Sequence, residues 1–591
     1  MIASYVLSST FVPVLAAWLM KRHAAHADSR PGLFDWFRRW FESLTGLTVR
    51  LRWAVLAAYL AVCGAVVWFG GQRLGVEIFP TFDAGEFRLR MRAPDGTHFG
   101  HTEKIALQVL DSIAELVGQE NIALTLGYVG TIPASFPING VYQWSRGPEE
   151  ALLRIALRPD TDIRTESMKE TLRGELARRF PDVRFSFEPA DIISEVMSFG
   201  SATPIEIAAR GANLQENRSY LLRVQQELAA LPYLRDIQFA QSLDYPTVEV
   251  RVDRERAGLG GASVAEVARS LVAATSSTRF VVPNYWPDPK TGIGYQVQLE
   301  IPQPWLTSAD DLGAIPVSGG EGSPLLLRDV AQIQQGTMPG QYDRYNMKRE
   351  LSLTANVSGA DLGRVARDIQ SMLTRLEKAG DKPPGVTVDV RGQVPPLRQI
   401  LGGLTSGLVL ALIVIVLLLT ANFQSWRLAL VTVTAAPAVL AGVVLMLLAT
   451  GTTLNIQSFI GTIMSLGVAM ANGILLVTFA EHERHLGMPS REAAVRGAGG
   501  RLRPILMTSA AMTAGMIPMA LGLGETGPQI APLGRAVIGG LVAATAATLL
   551  VLPAAFALIQ ARTGRDSASL DPDDPASPKY DGTQPAPPGD E

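Results

Sequence analysis

The chain has 591 residues, of which 47% are hydrophobic and 18% charged, and a formal net charge of −3. That mixture exceeds one ordinary domain and suits a membrane-spanning protein with a large water-exposed part. It lacks the basic surplus of a nucleic-acid binder, its single cysteine, Cys63, excludes an internal disulfide, and no His/Cys cluster has the spacing of a zinc site.

In chain order, charge-free apolar runs occur at Ile2–Met20, Trp53–Gln72, Gln399–Trp426, Leu428–Ala480, Pro504–Gly524 and Ala536–Ala561. A bilayer-spanning helix needs roughly 20 apolar residues. The 53 residues of Leu428–Ala480 therefore hold two spans about a turn at Thr450–Asn455, and seven spans are expected in all. The connection Lys21–Arg52 carries seven Lys/Arg against three acids, and Glu481–Arg503 five against three; Thr450–Asn455 and Glu525–Gly534 carry none. The positive-inside rule puts both basic connections in the cytoplasm and the segment from about 75 to 398 outside. The first span then enters from outside with its positive charges behind it, unlike a secretory signal, so an upstream portion before Met1 is expected.

Between the first two spans, "PGLFDWFRRWFESL" places Leu33, Phe34, Trp36, Phe37, Trp40, Phe41 and Leu44 along one side of a helix. That pattern fits a helix lying in the inner interface, with a plain linker as the alternative. From 75 to 398 the pattern changes to short strands followed by amphipathic helices, in four units starting at Phe87, Ala151, Ile205 and Leu351. Paired strand–helix–strand units predict an α+β domain of ferredoxin-like, split βαβ subdomains. The segment Ser276–Ile333 breaks the rhythm and reads as an inserted domain. The connection Leu126–Pro148 is long for a loop inside a compact domain. Its Phe136, Tyr142 and Trp144 either line an apolar substrate cleft or pack the loop on its own domain.

The second span of the long block, "IQSFIGTIMSLGVAMANGILLVTFA", carries Gln457, Ser458, Thr462, Ser465 and Asn472. Polar atoms are costly in hydrocarbon, so these turn toward other helices or a wet path. No Asp, Glu, His, Lys or Arg lies inside any of the seven expected cores. After Ala561 the chain is rich in Pro, Asp, Gly and Ser, which predicts a disordered cytoplasmic tail over 562–591.

Several phrases, in order, resemble the resistance–nodulation–division (RND) efflux permeases, of the acriflavin-resistance type. They include "ASYVLSSTFVPVLAAWLM", "VEIFPTFDAGEFRLRMRAPDGT", "TLNIQSFIGTIMSLGVAMANGILLVTFAEHERH", "GGRLRPILMTSAAMTAGMIPMALG" and "GRAVIGGLVAATAATLLVLPAAFALI". The family has twelve membrane helices in two repeats, and this chain resembles the sixth helix followed by the complete second repeat. The resemblance implies a span over 1–20, a cytoplasmic linker with the interfacial helix over 21–52, and a span over 53–74. It further implies a periplasmic porter region over 75–398, with a docking insert at about 255–335, and five spans over 399–561. It also implies a bacterial inner-membrane homotrimer working with a periplasmic adaptor and an outer-membrane channel, driven by a proton gradient without a cofactor.

Proton coupling in the family uses an aspartate pair on its fourth helix, which this resemblance does not cover. Where many drug pumps carry a lysine on the tenth helix, Ala471 stands here, followed by Asn472. On the eleventh, "RLRPILMTS" carries over Arg501 and Thr508. The resemblance implies that Asn472, Arg501, Thr508 and Ser465 line a proton relay; from the residues alone, helix packing explains the polar ones and a positive-inside anchor explains Arg501. The function expected is the C-terminal half of a proton-driven exporter of amphiphilic compounds, needing the N-terminal half for coupling. Two alternatives remain: heavy-metal export, and a non-transporting truncated protein that binds an adaptor. No nucleophile–base pair or metal set suggests an enzyme.

Overall fold

The computed structural model describes residues 2–19, 33–80, 83, 85–131, 145–159, 161, 163–317, 325–524 and 527–562. Phe136, Tyr142 and Trp144, and the tail beyond 562, lie outside the described residues. The chain forms two compact units, Met1–Phe82 with Gln399–Glu591, and Asp83–Arg398.

Among the described residues, five helices are long and apolar enough to cross a membrane: Arg52–Arg73, Val394–Phe423, Trp426–Ala449, Ile456–His485 and Gly527–Leu550. Helices Ile2–Leu19 and Ser490–Ala520 occupy the first and sixth expected spans. Helix Leu33–Arg50 buries Phe41, Thr45 and Val49 and leaves Trp36, Trp40 and Leu47 exposed, so it has one face for protein and one for the interface.

Small residues let the membrane helices approach closely. A Cβ built on Gly442 would stand 2.3 Å from the carbonyl oxygen of Gly539, and one on Gly540 would stand 2.7 Å from Ser465 Oγ. The turn at Thr450–Asn455 is closed by a reciprocal cap: Ser458 N donates to Asn455 Oδ1 at 3.0 Å, and Asn455 N to Ser458 Oγ at 2.9 Å.

Two expected spans are interrupted. The first of the long block splits at Thr434–Ala435 into Trp426–Val433 and Ala436–Ala449. There Tyr59 Oη donates to Thr434 O at 2.7 Å and accepts from Ala438 N at 2.9 Å, so a side chain replaces one turn of the helical ladder. Pro437, just inside the second piece, cannot donate to it either. The last run divides at Val551 into Gly527–Leu550 and Leu552–Ile559, where Pro553 starts the final piece.

The second unit contains the strands β1 (Glu86–Arg92), β2 (Ile122–Val129), β3 (Glu150–Leu157), β4 (Arg184–Glu188), β5 (Ile205–Arg210), β6 (Leu234–Phe239), β7 (Tyr245–Val252), β8 (Asn284–Pro287), β9 (Gly294–Val297), β10 (Ala331–Met338), β11 (Asp343–Tyr345), β12 (Lys348–Val357) and β13 (Thr387–Gly392). The first sheet has the order β2-β3-β1-β4, all antiparallel, with helices Phe99–Val117 and Thr165–Arg179 as the crossovers. The second repeats that order, with β6 and β11 sharing one flank of β12, then β5 and β13, and with helices Leu214–Ala229 and Leu362–Lys378 as crossovers. Both are the ferredoxin-like arrangement of two split βαβ units.

Alternation along β1 explains the layering. Phe87, Leu89 and Met91 pack into the helix-side core with Val109, Ile113, Ile155, Leu172 and Leu176, while Arg88, Arg90 and Arg92 point to the open face. Where the rhythm fails, β7 and β10 pair along their whole length and bracket a small body cored by Ala257, Val267, Ile315, Val317, Leu327 and Val330, with the exposed β8–β9 hairpin beside it.

Candidate functional site

Three membrane helices meet at a small polar cluster. Asn472 comes from Ile456–His485 and is 5% exposed; Thr508 and Ser509 come from Ser490–Ala520, and Thr545 from Gly527–Leu550. Thr508 Oγ1 reaches Asn472 Oδ1 at 3.3 Å and its own Ile505 O at 3.0 Å. Asn472 Nδ2 donates to Ser509 Oγ at 3.5 Å, and Thr545 Oγ1 lies 2.7 Å from both Ser509 Oγ and Leu541 O. One turn further inward on the same helix, Thr548 is fully buried and its hydroxyl makes no hydrogen bond.

The cluster is entirely uncharged. Hydroxyl and amide groups exchange hydrogen-bond donors and acceptors without titrating near neutral pH. Arg501 sits about two turns inward from Thr508, its guanidinium 5.1 Å from the Phe479 ring centroid and its Nε unbonded. Ser465 is apart from the cluster: two turns from Asn472, it bonds to Gly461 O at 2.8 Å and packs against Gly540. Ala471, beside Asn472, is exposed. Gly467 one turn away on its own helix, and Thr508, Ala511 and Gly515 on the neighbouring helix, are exposed as well. Thus Asn472 and Thr508 come together, Arg501 lies inward of them, and Ser465 belongs to a separate helix contact. Ser509 and Thr545 were not singled out from sequence; adjacency to Thr508 and the Thr545/Thr548 spacing were the available signals.

In the second unit, the described backbone on the two sides of residues 132–144 is tied together. Gly130 N donates to Glu150 O at 2.8 Å, and Ser145 Oγ donates to Gly130 O. Strand β2 exposes Leu124 and Leu126 on the open face of the sheet. Farther along that face lies a buried ion network. Arg88 and Arg90 meet Glu188 at 2.9 and 2.6 Å, Arg88 also pairs with Glu195, and Arg90 and Arg92 converge on Glu150. Burial alone would raise the Glu150 carboxyl, but Arg92 and Arg90 outweigh it and hold it below the usual range. Burial pushes the adjacent Glu149 carboxyl up, reinforced by the Glu150 and Asp95 charges. Among the described residues no three His, Cys, Asp or Glu side chains gather as a metal site. Met91 and Met168 are in the helix-side core, whereas Met338 and Met347 are exposed elsewhere.

The described residues thus combine an apolar helical bundle holding an uncharged polar seam with a tandem of ferredoxin-like subdomains carrying an insertion. The chain belongs to the AcrB/AcrD/AcrF family of RND permeases of the bacterial inner membrane, whose profile matches residues 1–560, and five of its described helices are long and apolar enough to cross a membrane. It is 27% identical over 580 residues to the nickel and cobalt resistance protein CnrA of Cupriavidus metallidurans, covering 96% of this chain and 52% of that one. It is 24% identical over 601 residues to the toluene efflux pump membrane transporter TtgB of Pseudomonas putida, covering 98% and 54%. The crystal structure of a heavy metal efflux pump (crystal form II) superposes with a TM-score of 0.77 at 24% identity, over 94% of this chain and 54% of that one. The chain spans about half the length of the curated relatives it matches.

Proposed function

We propose that this chain is the C-terminal half of a proton-driven exporter of amphiphilic compounds. The observation that carries this reading is the Asn472–Thr508–Ser509–Thr545 cluster, which is polar, uncharged and bordered by exposed small residues. Coupling needs a group that gains and loses charge inside the membrane. The cluster supplies hydrogen-bond partners for such a group but not the group itself. The titrating carboxylates come from helices that pack on the Gly467–Ala471 face, on a further segment of the same protein or on a separate polypeptide. As for the family's other partners, the working assembly is a homotrimer with a periplasmic adaptor and an outer-membrane channel.

The amphiphile reading is supported by the open face of the first sheet. Leu124 and Leu126 on β2 are 63% and 43% exposed, and a strip of that kind favours apolar cargo over ions. Phe136, Tyr142 and Trp144, which lie outside the described residues, are carried in this reading as aromatic candidates for cargo contact from the sequence alone. The second reading is export of a soft or borderline metal ion, favoured by the names of relatives such as the nickel and cobalt resistance protein. Thioether ligation suits soft ions such as Cu(I), whereas nickel and cobalt take imidazole and carboxylate ligands, so the burial of Met91 and Met168 in the core bears only on the softest ions.

Growth of a deletion strain on detergents and dyes, against nickel, cobalt, zinc and cadmium, tests the substrate. Sensitivity to the amphiphiles alone is expected. Sensitivity to the metals alone would overturn the amphiphile reading. A stable complex with the adaptor but no change in any resistance would favour a non-transporting role.

A further inference from the structure

The two ferredoxin-like subdomains meet along a seam between sheet edges. β4 ends the first sheet, and β6 lies beside it on the flank of the second. Two strand edges side by side can continue one ladder into the next, making one wide and rigid sheet. Here they do not: among the described residues no backbone-to-backbone hydrogen bond joins β4 to β6. The seam is instead closed by side chains.

Its centre is Asp236. The pairing of β6 with β12 slips between Thr354 and Asn356, and Asp236 lies in this bulge with φ 54°. Left-handed backbone is tolerated by aspartate better than by most residues, and a bulge re-aims the side chain it carries. The Asp236 carboxylate, with its side chain 4% exposed, turns out of its own sheet. It accepts from Phe187 N on β4 at 2.9 Å and from Arg173 Nε and Nη2 at 2.7 and 3.1 Å. Both donors belong to the first subdomain. From its own subdomain it accepts Asn356 Nδ2 at 2.9 Å, and that amide also bonds to Ser186 Oγ at 3.0 Å across the seam. Toward the far end, Arg92 donates to the carbonyls of Phe239 and Ala240 at 3.0 and 2.8 Å.

We propose that Asp236 is a positioning residue of the porter region: its carboxylate takes the place of a backbone ladder between β4 and β6 and is the pivot about which the two subdomains turn. A ladder opens only by breaking several backbone bonds together. Across the seam the carboxylate is held by one guanidinium and one backbone amide, and it releases through side-chain rotation together with the Asn356 and Arg92 contacts, so the subdomains separate without unfolding either sheet. This inference concerns the second unit alone and is independent of the substrate.

The test uses the full chain in detergent on a Cys63→Ala background, spin-labelled through Lys104→Cys and Gln226→Cys, both exposed and one in each subdomain. The parent is expected to give one narrow distance population. Asp236→Asn and Arg173→Gln should each add a longer-distance population. They should also speed amide exchange of the peptide spanning 184–188 about tenfold or more, the effect of losing a charge-assisted hydrogen bond. Glu350→Gln, which removes a buried carboxylate paired with Arg391 inside the second subdomain, is the control and should leave the distance unchanged. Unchanged distances and exchange in Asp236→Asn overturn the proposal, as does an equal second population in Glu350→Gln. If Asp236→Asn does not fold, Arg173→Gln alone decides in the same terms.

Discussion

Thr508 Oγ1 stands 3.3 Å from Asn472 Oδ1 and joins two membrane helices through groups that do not titrate near neutral pH. The contact has a structural consequence apart from any relay. Asn472→Leu keeps the number and branching of side-chain heavy atoms and removes the amide, so the bundle should lose about 0.6–2 kcal/mol. Unfolding of the chain in a graded detergent mixture measures it, and an unchanged midpoint would mean that the contact is idle.

Close helix approach depends on positions where a side chain has no room. Gly442→Val and Gly540→Val would drive a Cβ into Gly539 O and Ser465 respectively. Each is expected to cost about 1–3 kcal/mol as overpacking, read from thermal aggregation of the purified protein. Gly467→Val, with open space at its Cβ, is the matched substitution and should be close to neutral in the isolated chain.

Tyr59 should contribute through its hydroxyl alone. Tyr59→Phe leaves Thr434 O and Ala438 N without the group that bridges them, for a loss of about 1–3 kcal/mol. In the double variant with Pro437→Ala the backbone can close its own ladder across the break, so that loss should shrink. A double-mutant cycle in the same unfolding assay shows whether the two are coupled.

Two adjacent carboxyls in the second unit carry opposite pH signatures. Glu150 is held below its ordinary 4.5, so its contribution is fully present above that value and is lost as pH falls through the lowered one. Glu150→Gln should cost about 3–5 kcal/mol at pH 7, because Arg90 and Arg92 lose a buried partner, and should flatten the acid limb of stability. Glu149 is raised, so its ionised form is penalised above its folded value, and Glu149→Gln should be neutral or stabilising at pH 7. Thermal unfolding of both variants from pH 3 to pH 8 checks the two signs together.

Periodicity was enough for the elements and for the ferredoxin-like plan, because alternation in stretches such as Phe87–Arg92 and three- and four-residue spacing in Leu362–Lys378 are set by local geometry. It was not enough for the breaks at Thr434–Ala435 and Val551. Hydropathy averages over a proline, and Tyr59 acts from more than 370 residues away. Asn472 and Thr508 were legible through the family pattern, whereas Ser509 and Thr545 became partners only through helix packing. Ser465 was legible only as a buried polar residue: its hydroxyl bonds to Gly461 O of its own helix and lies 3.5 Å from Val537 O of a neighbour, a pairing that only helix packing reveals. The Asp236 seam had no sequence signature, since its geometry comes from a bulge between strands more than 100 residues apart.

The most direct test of the central claim is transport by the 591-residue chain itself in sealed vesicles carrying a pH gradient, with an amphiphilic dye as cargo. The account predicts no gradient-dependent dye movement from this chain alone. Transport should appear when a polypeptide supplying a membrane acidic pair is co-reconstituted, and Asn472→Leu should then weaken it. Gradient-driven export by this chain on its own would contradict the account, because its polar cluster would then have to carry the proton without a titrating group.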